Sequence, residues 1–515
     1  MKPDPHQIPA PQEVELKLSL PLSDPKRVTD QLALVPVLSR RKAKHQTLHN
    51  IYYDTPDQQL RQLRAVLRLR RVTGDTGTGW VQTFKTGTSD TSALSRRGEW
   101  ESPVDAATLS RHALEATPWS DLDADGRLLA ALVPCFVTAF ERTTWLVRQR
   151  DTSVVEVALD LGQIEAKGQV APICELELEL KSGPPSALFE IAGEIARTVA
   201  VLPFSMSKGQ RGYALAQDGL NRPYRAQLPH LAKAMPVQLL AQQVLRSAFT
   251  QFTSNLAGLL GSDDPEVVHQ ARIGWRRFKS AQRIFKKLVP VAAPEPSGAL
   301  HLLIASLGEL RNLDVARTDT LPAIADAFTM GDTQRTQSWL AMMTCLTQAN
   351  DLQRTTVRQV LQRPYVGASL LVIQQWLENL SAKGQLMPRP NVSLRQWVKR
   401  RMQRLSKKLV DARKVAESQA QWHHVRILAK RLRYGTESLQ DLMPRRLTKL
   451  GLQHATSLQS SIGAERDIAQ LSALVEKLAM DPCVSEFLRG FIVGASQQQS
   501  VLHILRIKQP GIGNA

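Results

Sequence analysis

An alternation of charged and apolar residues near the start of the chain is the feature that most restricts the fold. In Glu13-Val14-Glu15-Leu16-Lys17 every second residue is charged. Only a β-strand places residues i and i+2 on one face, so this segment predicts a strand with two carboxylates and an ammonium group on the same side. A second run, residues 173–181, repeats the pattern with three glutamates and a lysine.

Neighbouring carboxylates on one strand face favour a bound cation. A single run of this kind is equally compatible with a polar face turned to water. Two runs shift the balance, because like charges at adjacent positions of one face repel each other. Oxygen ligands of this type suit a hard divalent ion, so the two strands are predicted to frame a metal site.

The charge of the chain is divided unequally between its two parts. Residues 1–220 hold 26 basic and 27 acidic side chains, whereas residues 221–515 hold 40 and 20, and the net charge of all 515 residues is +19. The excess in the second part favours a polyanionic partner, such as polyphosphate, nucleic acid or an acidic membrane surface.

Composition also limits the compartment. The first eleven residues are polar and rich in proline, and no later stretch approaches about 18 uninterrupted apolar residues. The four cysteines lack CxxC spacing, which argues against a zinc site and a disulfide framework. We therefore expect a cytoplasmic protein without membrane association.

The periodicity of apolar residues changes once along the chain. Short alternating segments predict about eight antiparallel strands, which can close into a barrel with a charged lumen; they are residues 13–20, 48–53, 65–72, 80–85, 97–104, 136–149, 154–161 and 173–181. After a proline-containing linker, helical spacing predicts an all-α region; its segments include residues 237–260, 265–289, 300–318, 335–363, 393–415, 421–442 and 448–478. The predicted fold class is α+β multidomain, with an eight-stranded antiparallel tunnel at residues 11–215, a linker at 216–236 and a helical bundle at 237–505.

The helical region contains an internal duplication. Residues 269–279 match residues 423–433, and residues 307–314 parallel residues 462–467 at almost the same offset. We interpret the region as two pseudo-repeats, at about 237–390 and 391–505. Each repeat carries a basic stripe on one helix face; the first comprises His269, Arg272, Arg276 and Lys279, and the second comprises His423, Arg426, Lys430 and Arg433. A charged stripe is commonly a solvated surface, but its duplication suggests a groove for phosphate chains.

The strands also supply cations that would face the carboxylates across the lumen. Arg68 and Arg70 share one strand face, and Lys85, Arg97 and Arg142 lie in other strands. A cavity with a divalent-metal face and a guanidinium face suits a linear phosphate chain.

These residues resemble the CYTH, or triphosphate tunnel metalloenzyme, family over almost all of residues 13–213. The match to its ExExK signature is Glu13-Val14-Glu15-Leu16-Lys17. Further matching segments are Tyr52–Thr55, Leu67–Arg70, Thr83–Lys85, Arg97–Glu101, Ala158–Gly162, Glu175–Glu179 and Ser207–Arg211.

The resemblance implies a triphosphate-cleaving or cyclising enzyme that depends on Mg²⁺ or Mn²⁺. The implied metal ligands are Glu13, Glu15, Glu175, Glu177, Glu179 and Asp160, with Glu99 and Glu101 as possible further ligands. The implied phosphate-binding residues are Lys17, Arg68, Arg70, Lys85, Arg97, Arg142, Lys208 and Arg211. Of these, Lys17, Lys85, Arg68 and Arg70 are expected to take part directly in catalysis.

The helical region resembles the CHAD domain, a module of two pseudo-repeats associated with polyphosphate binding. The two basic stripes would bind that polymer, and nucleic acid is the less favoured partner. Together the two resemblances predict an inorganic triphosphatase that cleaves tripolyphosphate to diphosphate and phosphate. The alternatives are a class IV-type adenylate cyclase or a thiamine triphosphatase on the same tunnel, or a non-catalytic polyphosphate-binding protein.

Overall fold

A computed structural model describes most of the chain. The described residues are 12–21, 24–74, 77–87, 92–232, 235–286, 288, 294–380, 393–446, 448–449, 451–453, 455–456, 474 and 481–507. The first part is a closed antiparallel barrel and the second part is helical, which confirms the predicted fold class. Residues 462–467, the second member of one duplicated pair, lie outside the described residues.

Eight strands form the barrel, and each pairs antiparallel with its neighbours. They are β1 (Gln12–Ser19), β2 (Lys44–Asp54), β3 (Ala65–Gly74), β4 (Gly77–Gly87), β5 (Leu94–Val104), β6 (Val133–Arg148), β7 (Val154–Ala166) and β8 (Gln169–Ser182). The order around the barrel is β1-β5-β4-β3-β2-β6-β7-β8, and β8 returns to β1. A two-residue strand, β9 (Leu202–Pro203), also pairs with β1.

The register at the closing seams places opposite charges side by side. Across the β1–β5 seam Glu13 lies opposite Arg97, and across the β1–β8 seam Lys17 lies opposite Glu177. Because side chains alternate across a strand, the charged residues of β1 and β8 face the lumen while the leucines between them face outward. The outer face is covered, so both faces of these strands are buried.

Short helices cover the outside of the barrel and one of its ends. They are α1 (Pro25–Ala33), α2 (Pro36–Ser39), α3 (Gln59–Gln62), α4 (Trp119–Leu122), α5 (Arg127–Ala130), α6 (Ser186–Ile195) and α7 (Lys208–Ala216). Leu16 and Leu178 pack with Ile191 of α6 in one apolar core. Helix α7 begins at a Ser207/Gln210 capping box, and its Gly212 lies directly against the Phe136 ring.

The second part consists of helices that pack around two cores of their own. They are α8 (Val237–Gly258), α9 (Pro265–Phe285), α10 (Gly298–Val315), α11 (Ala325–Thr329), α12 (Thr333–Leu361), α13 (Pro364–Asn379), α14 (Leu394–Lys414), α15 (Gln419–Ser438) and α16 (Pro482–Ile507). Aromatic rings from α8 and α9 meet in the larger, helical core, with Phe249 and Phe278 centroids 5.4 Å apart. Among the described residues, no helix combines the length and apolar character needed to cross a bilayer.

Helix α13 joins the two parts. Because it is buried on two sides, the periodicity of apolar residues did not predict it. Leu370 and Leu377 pack into the helical core, whereas Leu371 packs into the core outside the barrel. A helix that is buried on two sides is apolar on most of its surface and lacks a clear polar face. Gly367 of α13 touches the backbone of Val201, where an added Cβ would lie 2.0 Å from the Val201 carbonyl oxygen.

We predict that Gly367→Ala weakens this joint. The new methyl group must push α13 away from rigid backbone, which we expect to cost about 1–3 kcal/mol of unfolding free energy. A matched control is Gly193→Ala in α6, because a Cβ there meets no atom within 4 Å. Urea unfolding measures both variants, and an equal stability of the two would contradict the tight joint.

Candidate functional site

The lumen of the barrel contains a cavity of about 390 Å³ with a densely charged wall. Inward side chains of all eight strands line it, together with the first residues of α7. Nine lining side chains are basic and seven are acidic. Since the two signs nearly balance, most of these charges neutralise one another within the wall.

Strand β1 supplies the first group of charges. Glu13 accepts from Lys85 at 3.1 Å and from Arg97 at 2.8 Å. Glu15 accepts from the same arginine at 2.5 Å and forms a short ion pair with Lys17. Burial opposes the ionisation of both glutamates, but these cations outweigh it and lower the pKa of each carboxyl group.

One side of the lumen is crowded with cations. Arg68 approaches Glu99 and Glu101 only at 3.7 Å, and Arg70 approaches Glu101 at 3.5 Å. Burial, and then the neighbouring Arg68 and Arg142, lower the pKa of Arg70 to about 10. Burial, followed by Arg97, likewise lowers the pKa of Lys85. These guanidinium and ammonium groups lie close to like charges, so an incoming anion would relieve their repulsion.

The opposite side of the lumen contains a carboxylate cluster. Oxygen atoms of Asp160, Glu175 and Glu177 lie within 4.8 Å of one another. Lys208 stands among them, at 2.6, 2.5 and 3.0 Å respectively, and Arg142 holds Asp160 with two bonds of 2.7 Å. Burial works against the charged form of Lys208, but the three carboxylates outweigh it and raise its pKa.

The donor set of this cluster fits a divalent cation. It offers only carboxylate oxygens, the ligands that Mg²⁺ and Mn²⁺ prefer. The position already holds a positive charge, since an ammonium group binds all three carboxylates. Glu177 also lines the cavity, whereas Asp160 and Glu175 lie behind the wall and are almost fully buried.

The sequence-predicted metal ligands bind different cations within the lumen, and Lys17 connects two of these groups because it pairs with Glu15 and lies 3.8 Å from Glu177. Glu13 and Glu15 lie beside Arg97, and the three-carboxylate cluster lies beside Lys208. Glu179 pairs with Lys181 at 2.6 Å, and burial raises the pKa of this glutamate. In the register of β1 and β8, Glu15 lies opposite Glu179, whereas Glu175 lies four pairs further along, opposite Ser19.

The predicted phosphate-binding residues also differ in position. Lys17, Arg68, Arg70, Lys85, Arg97, Arg142 and Lys208 line the cavity. Arg211 does not, because its guanidinium group binds Glu175 at 3.2 Å and the carbonyl oxygen of Pro172.

The sequence did not predict that several residues of β2 line the cavity or support its wall. Lys44 and Gln46 line the cavity because β2 begins at Lys44, four residues before the predicted strand. Their segment is polar throughout and therefore lacks the apolar alternation that marks a strand. Buried Asn50 accepts from Arg70 at 2.9 Å and orients it. The period-two spacing of residues 44, 46, 48 and 50 could have identified this face.

The first basic stripe of the helical region lies on α9 and is half-buried. Arg272 reaches Gly308 of α10, so the predicted duplication motifs are close in space. Burial, and then Arg311, lower the pKa of His269 to about 4. This histidine is therefore neutral at neutral pH and offers a hydrogen bond rather than a charge.

The second stripe lies on α15, where His423 is exposed and the three basic residues are half-buried. Arg433 binds Glu437 at 2.9 Å, and Glu437 also binds Arg277 of α9 at 3.2 Å. Asp314 is fully buried and pairs with Arg354 of α12 at 3.2 Å. A single groove that contains both stripes stays a prediction.

Two family models match the chain and agree with this architecture. The CYTH domain model matches residues 11–213, and the CHAD domain model matches residues 243–476. The chain is therefore a CYTH–CHAD protein, in which a CYTH tunnel precedes a CHAD helical domain. This confirms both resemblances inferred from the motifs.

Individual relatives are similar to parts of the chain. The inorganic triphosphatase of Haemophilus influenzae is 33% identical over 225 residues, which span 41% of this chain and 58% of that protein. The CHAD domain from the plant Ricinus communis is 24% identical, covers 54% of this chain and 92% of its own, and has a TM-score of 0.46. A proposed adenylyl cyclase from Hippeastrum, described as having a dominant triphosphatase activity, is 19% identical, covers 40% and 96%, and has a TM-score of 0.29.

We predict that Lys208→Met destabilises the metal-free protein and makes its stability depend on divalent ions. Without the ammonium group three buried carboxylates lose a cation, which we expect to cost about 3–5 kcal/mol. Added Mg²⁺ or Mn²⁺ should restore more stability to this variant than to the wild type. Thermal unfolding in EDTA and in each ion measures the effect.

The control is Lys181→Met at the mouth of the lumen, where the paired side chains are partly exposed. Its loss should be about 0–1 kcal/mol, as for a surface ion pair. Equal losses in the two variants, with no preferential recovery by metal, would contradict the assignment of the cluster.

Proposed function

We propose that this chain hydrolyses inorganic triphosphate to diphosphate and phosphate inside the tunnel, with Mg²⁺ or Mn²⁺ as cofactor. The observation that carries the proposal is the combination, in one cavity, of crowded cations and a carboxylate cluster. Arg68, Arg70 and Lys85 lie close to other cations as well as to Glu13, Glu99 and Glu101. Asp160, Glu175 and Glu177 form the cluster, which Lys208 now compensates. A triphosphate and a divalent ion have the matching charges.

The cations would bind the non-bridging oxygens of the phosphate chain. Arg68 is buried and Arg70 is half-buried, and the side chains of Tyr52 and Asn50 respectively accept hydrogen bonds from their guanidinium groups. Because these positive groups are fixed before substrate arrives, they can stabilise charge that develops on the leaving diphosphate. Water attacks the terminal phosphorus, the P–O–P bond breaks, and orthophosphate and diphosphate leave.

The proposed ligands of the divalent ion are Asp160, Glu175 and Glu177, with Glu13, Glu15 and Glu179 as the further acidic groups expected from the sequence. When bound, the ion would act as a Lewis acid on phosphoryl oxygens. The chain's own contribution is to keep Glu177 ionised. Burial alone would favour its neutral acid, but Lys208, Lys17 and Arg142 hold the pKa of Glu177 well below its usual range.

The lining of the cavity supports an inorganic substrate over a nucleotide. Among the described residues that line it, Tyr52 and Phe140 alone are aromatic. The Phe140 ring already lies beneath the Lys208 ammonium group, and the Tyr52 ring stacks on Phe136. Neither ring is therefore free to stack on a base, whereas charged groups for phosphates are abundant. The identity with an inorganic triphosphatase is consistent with this choice.

We predict that Glu13→Ala/Glu15→Ala abolishes phosphate release from tripolyphosphate. Loss of both carboxylates removes acidic groups proposed for the metal and releases Lys85 and Arg97 from their positions. We expect kcat/KM to fall at least about 100-fold. Phosphate release with Mg²⁺ or Mn²⁺ measures it, and Glu141→Ala/Glu165→Ala on the outer face of the barrel is the charge-matched control.

The same assay separates the alternatives. If ATP yields cyclic AMP and diphosphate with a higher kcat/KM than tripolyphosphate cleavage, the tunnel is a cyclase. If thiamine triphosphate is the better substrate, it is a thiamine triphosphatase. If the wild type and the double variant release phosphate equally slowly, the tunnel is not a hydrolase and the polyanion-binding alternative remains.

We also propose that the helical domain binds long-chain polyphosphate through its two basic stripes. The supporting observation is that Arg272 of α9 lies against Gly308 of α10, and that Arg272, Arg276 and Arg311 all act on His269 as neighbouring positive charges. Phosphate oxygens would neutralise this cluster, and simultaneous binding of several phosphates of one polymer would make the affinity strongly dependent on salt.

We predict that Arg272→Glu/Arg426→Glu weakens retention of long-chain polyphosphate by the full-length protein. The slope of log K against log salt should fall by about one for each phosphate group that the variant no longer neutralises. The control is Arg395→Glu/Arg413→Glu, which reverses two exposed arginines of α14 with the same change of net charge. Equal weakening by both pairs would indicate nonspecific attraction, and tighter binding to DNA than to polyphosphate would refute the proposal.

A further inference from the structure

A second cavity of about 510 Å³ adjoins the tunnel on the side of the helical domain. It shares part of its wall with the tunnel, namely Lys17, Val66, Lys85, Arg97, Ser207 and Gly209. The remaining wall includes linker residues Tyr224 and Gln227 and the loop residue Ser92. We name this cavity the junction chamber. A phosphate chain that occupies the tunnel therefore has an adjoining space into which it can extend.

The charge of the junction chamber differs from that of the tunnel. Six basic side chains line it: Lys17, Arg61, Arg64, Lys85, Arg96 and Arg97. Among the described residues that surround the chamber, none is acidic. The tunnel wall, in contrast, holds seven carboxylates. Lys17, Lys85 and Arg97 also bind Glu13 or Glu15 of the tunnel wall, but no carboxylate is among the described residues that line the chamber itself. A ligand there would therefore bind the guanidinium groups directly.

Both domains hold the walls of the chamber in place. The backbone of Tyr224 exchanges two hydrogen bonds of 2.9 Å with the Asn255 side chain of α8. Ser92, which is almost fully buried, accepts from Gln374 of α13 at 2.7 Å and donates to Glu378 at 3.1 Å. The chamber is therefore a product of domain docking rather than of the barrel alone.

We propose that the junction chamber is a second condensed-phosphate site, which binds phosphoryl groups through arginine without a divalent ion. This second site would extend the proposed triphosphatase function, and the identity of its ligand rests on that function. Two sources would supply the same chemistry: the end of a phosphate chain that is longer than the tunnel holds, and the diphosphate product on its way out. Both present multiply charged phosphoryl oxygens to the same arginines.

The direct test is binding of diphosphate to the full-length protein in EDTA, measured by titration calorimetry. Removing metal prevents any contact bridged by an ion, and the readout does not require catalysis. In Arg64→Gln/Arg96→Gln the affinity for diphosphate at one site should fall at least about ten-fold, because each charged hydrogen bond to the ligand contributes about a factor of ten to the affinity. The control, Arg71→Gln/Arg148→Gln, removes two exposed arginines outside both cavities and should bind like the wild type.

Kinetics distinguish the two sources of the ligand. If the chamber holds the end of a long chain, kcat/KM in Arg64→Gln/Arg96→Gln should be unchanged for tripolyphosphate and reduced for longer chains. If it holds product, inhibition by diphosphate should weaken for substrates of every length. Either result supports a second site. Identical diphosphate binding by the two double variants would overturn it, even if the wild type proves to be an active triphosphatase.

The wild type could also release no phosphate from tripolyphosphate, while Arg64→Gln/Arg96→Gln loses the diphosphate binding that the wild type shows. This result would support the second phosphate site and contradict the proposed enzymatic function. Calorimetry therefore tests the second phosphate site, and phosphate release tests the triphosphatase function independently of it.

Discussion

Pairing of opposite charges across neighbouring strands is the interaction on which the tunnel depends. The closing seam sets Glu13 against Arg97, and the β6–β7 ladder sets Arg142 against Asp160. Burying any of these groups alone would cost several kcal/mol, so each requires its partner. The strand register therefore also determines the ion pairs, because a slip by one residue would turn the charges outward and the leucines inward. The same pairing leaves the cavity nearly neutral before a ligand enters.

Because the cavity is nearly neutral, a phosphate chain that enters alone must compete with carboxylates for the same guanidinium groups. A divalent ion would compensate the carboxylates that lose their cations, so chain and ion are expected to bind as a pair. The junction chamber differs because, among the described residues, no carboxylate lines it, although Arg97 at its border with the tunnel binds Glu13 and Glu15. Phosphates would therefore bind there without an ion, at a place where the helical domain supports the wall.

The sequence predicted those parts of the molecule that follow from periodicity. Alternation identified β1 and β8 because one face is charged and the other apolar, and it placed Glu15, Arg68 and Arg97 in one lumen. It missed Lys44, whose neighbours are all polar, and α13, whose surface is apolar on two sides. It could not predict which cation each proposed metal ligand binds, because Lys208 reaches the carboxylate cluster from a helix rather than from a strand. The junction chamber also escaped it, since a cavity between domains depends on docking and not on local pattern.

The most direct test of the account is a crystal structure of the protein with tripolyphosphate and Mn²⁺, using the anomalous signal of manganese to locate the ion. We expect manganese in contact with Glu177 and at least one further carboxylate of the lumen, and the phosphate chain against Arg68, Arg70 and Lys85. Manganese elsewhere, or a phosphate chain bound outside the tunnel, would contradict it.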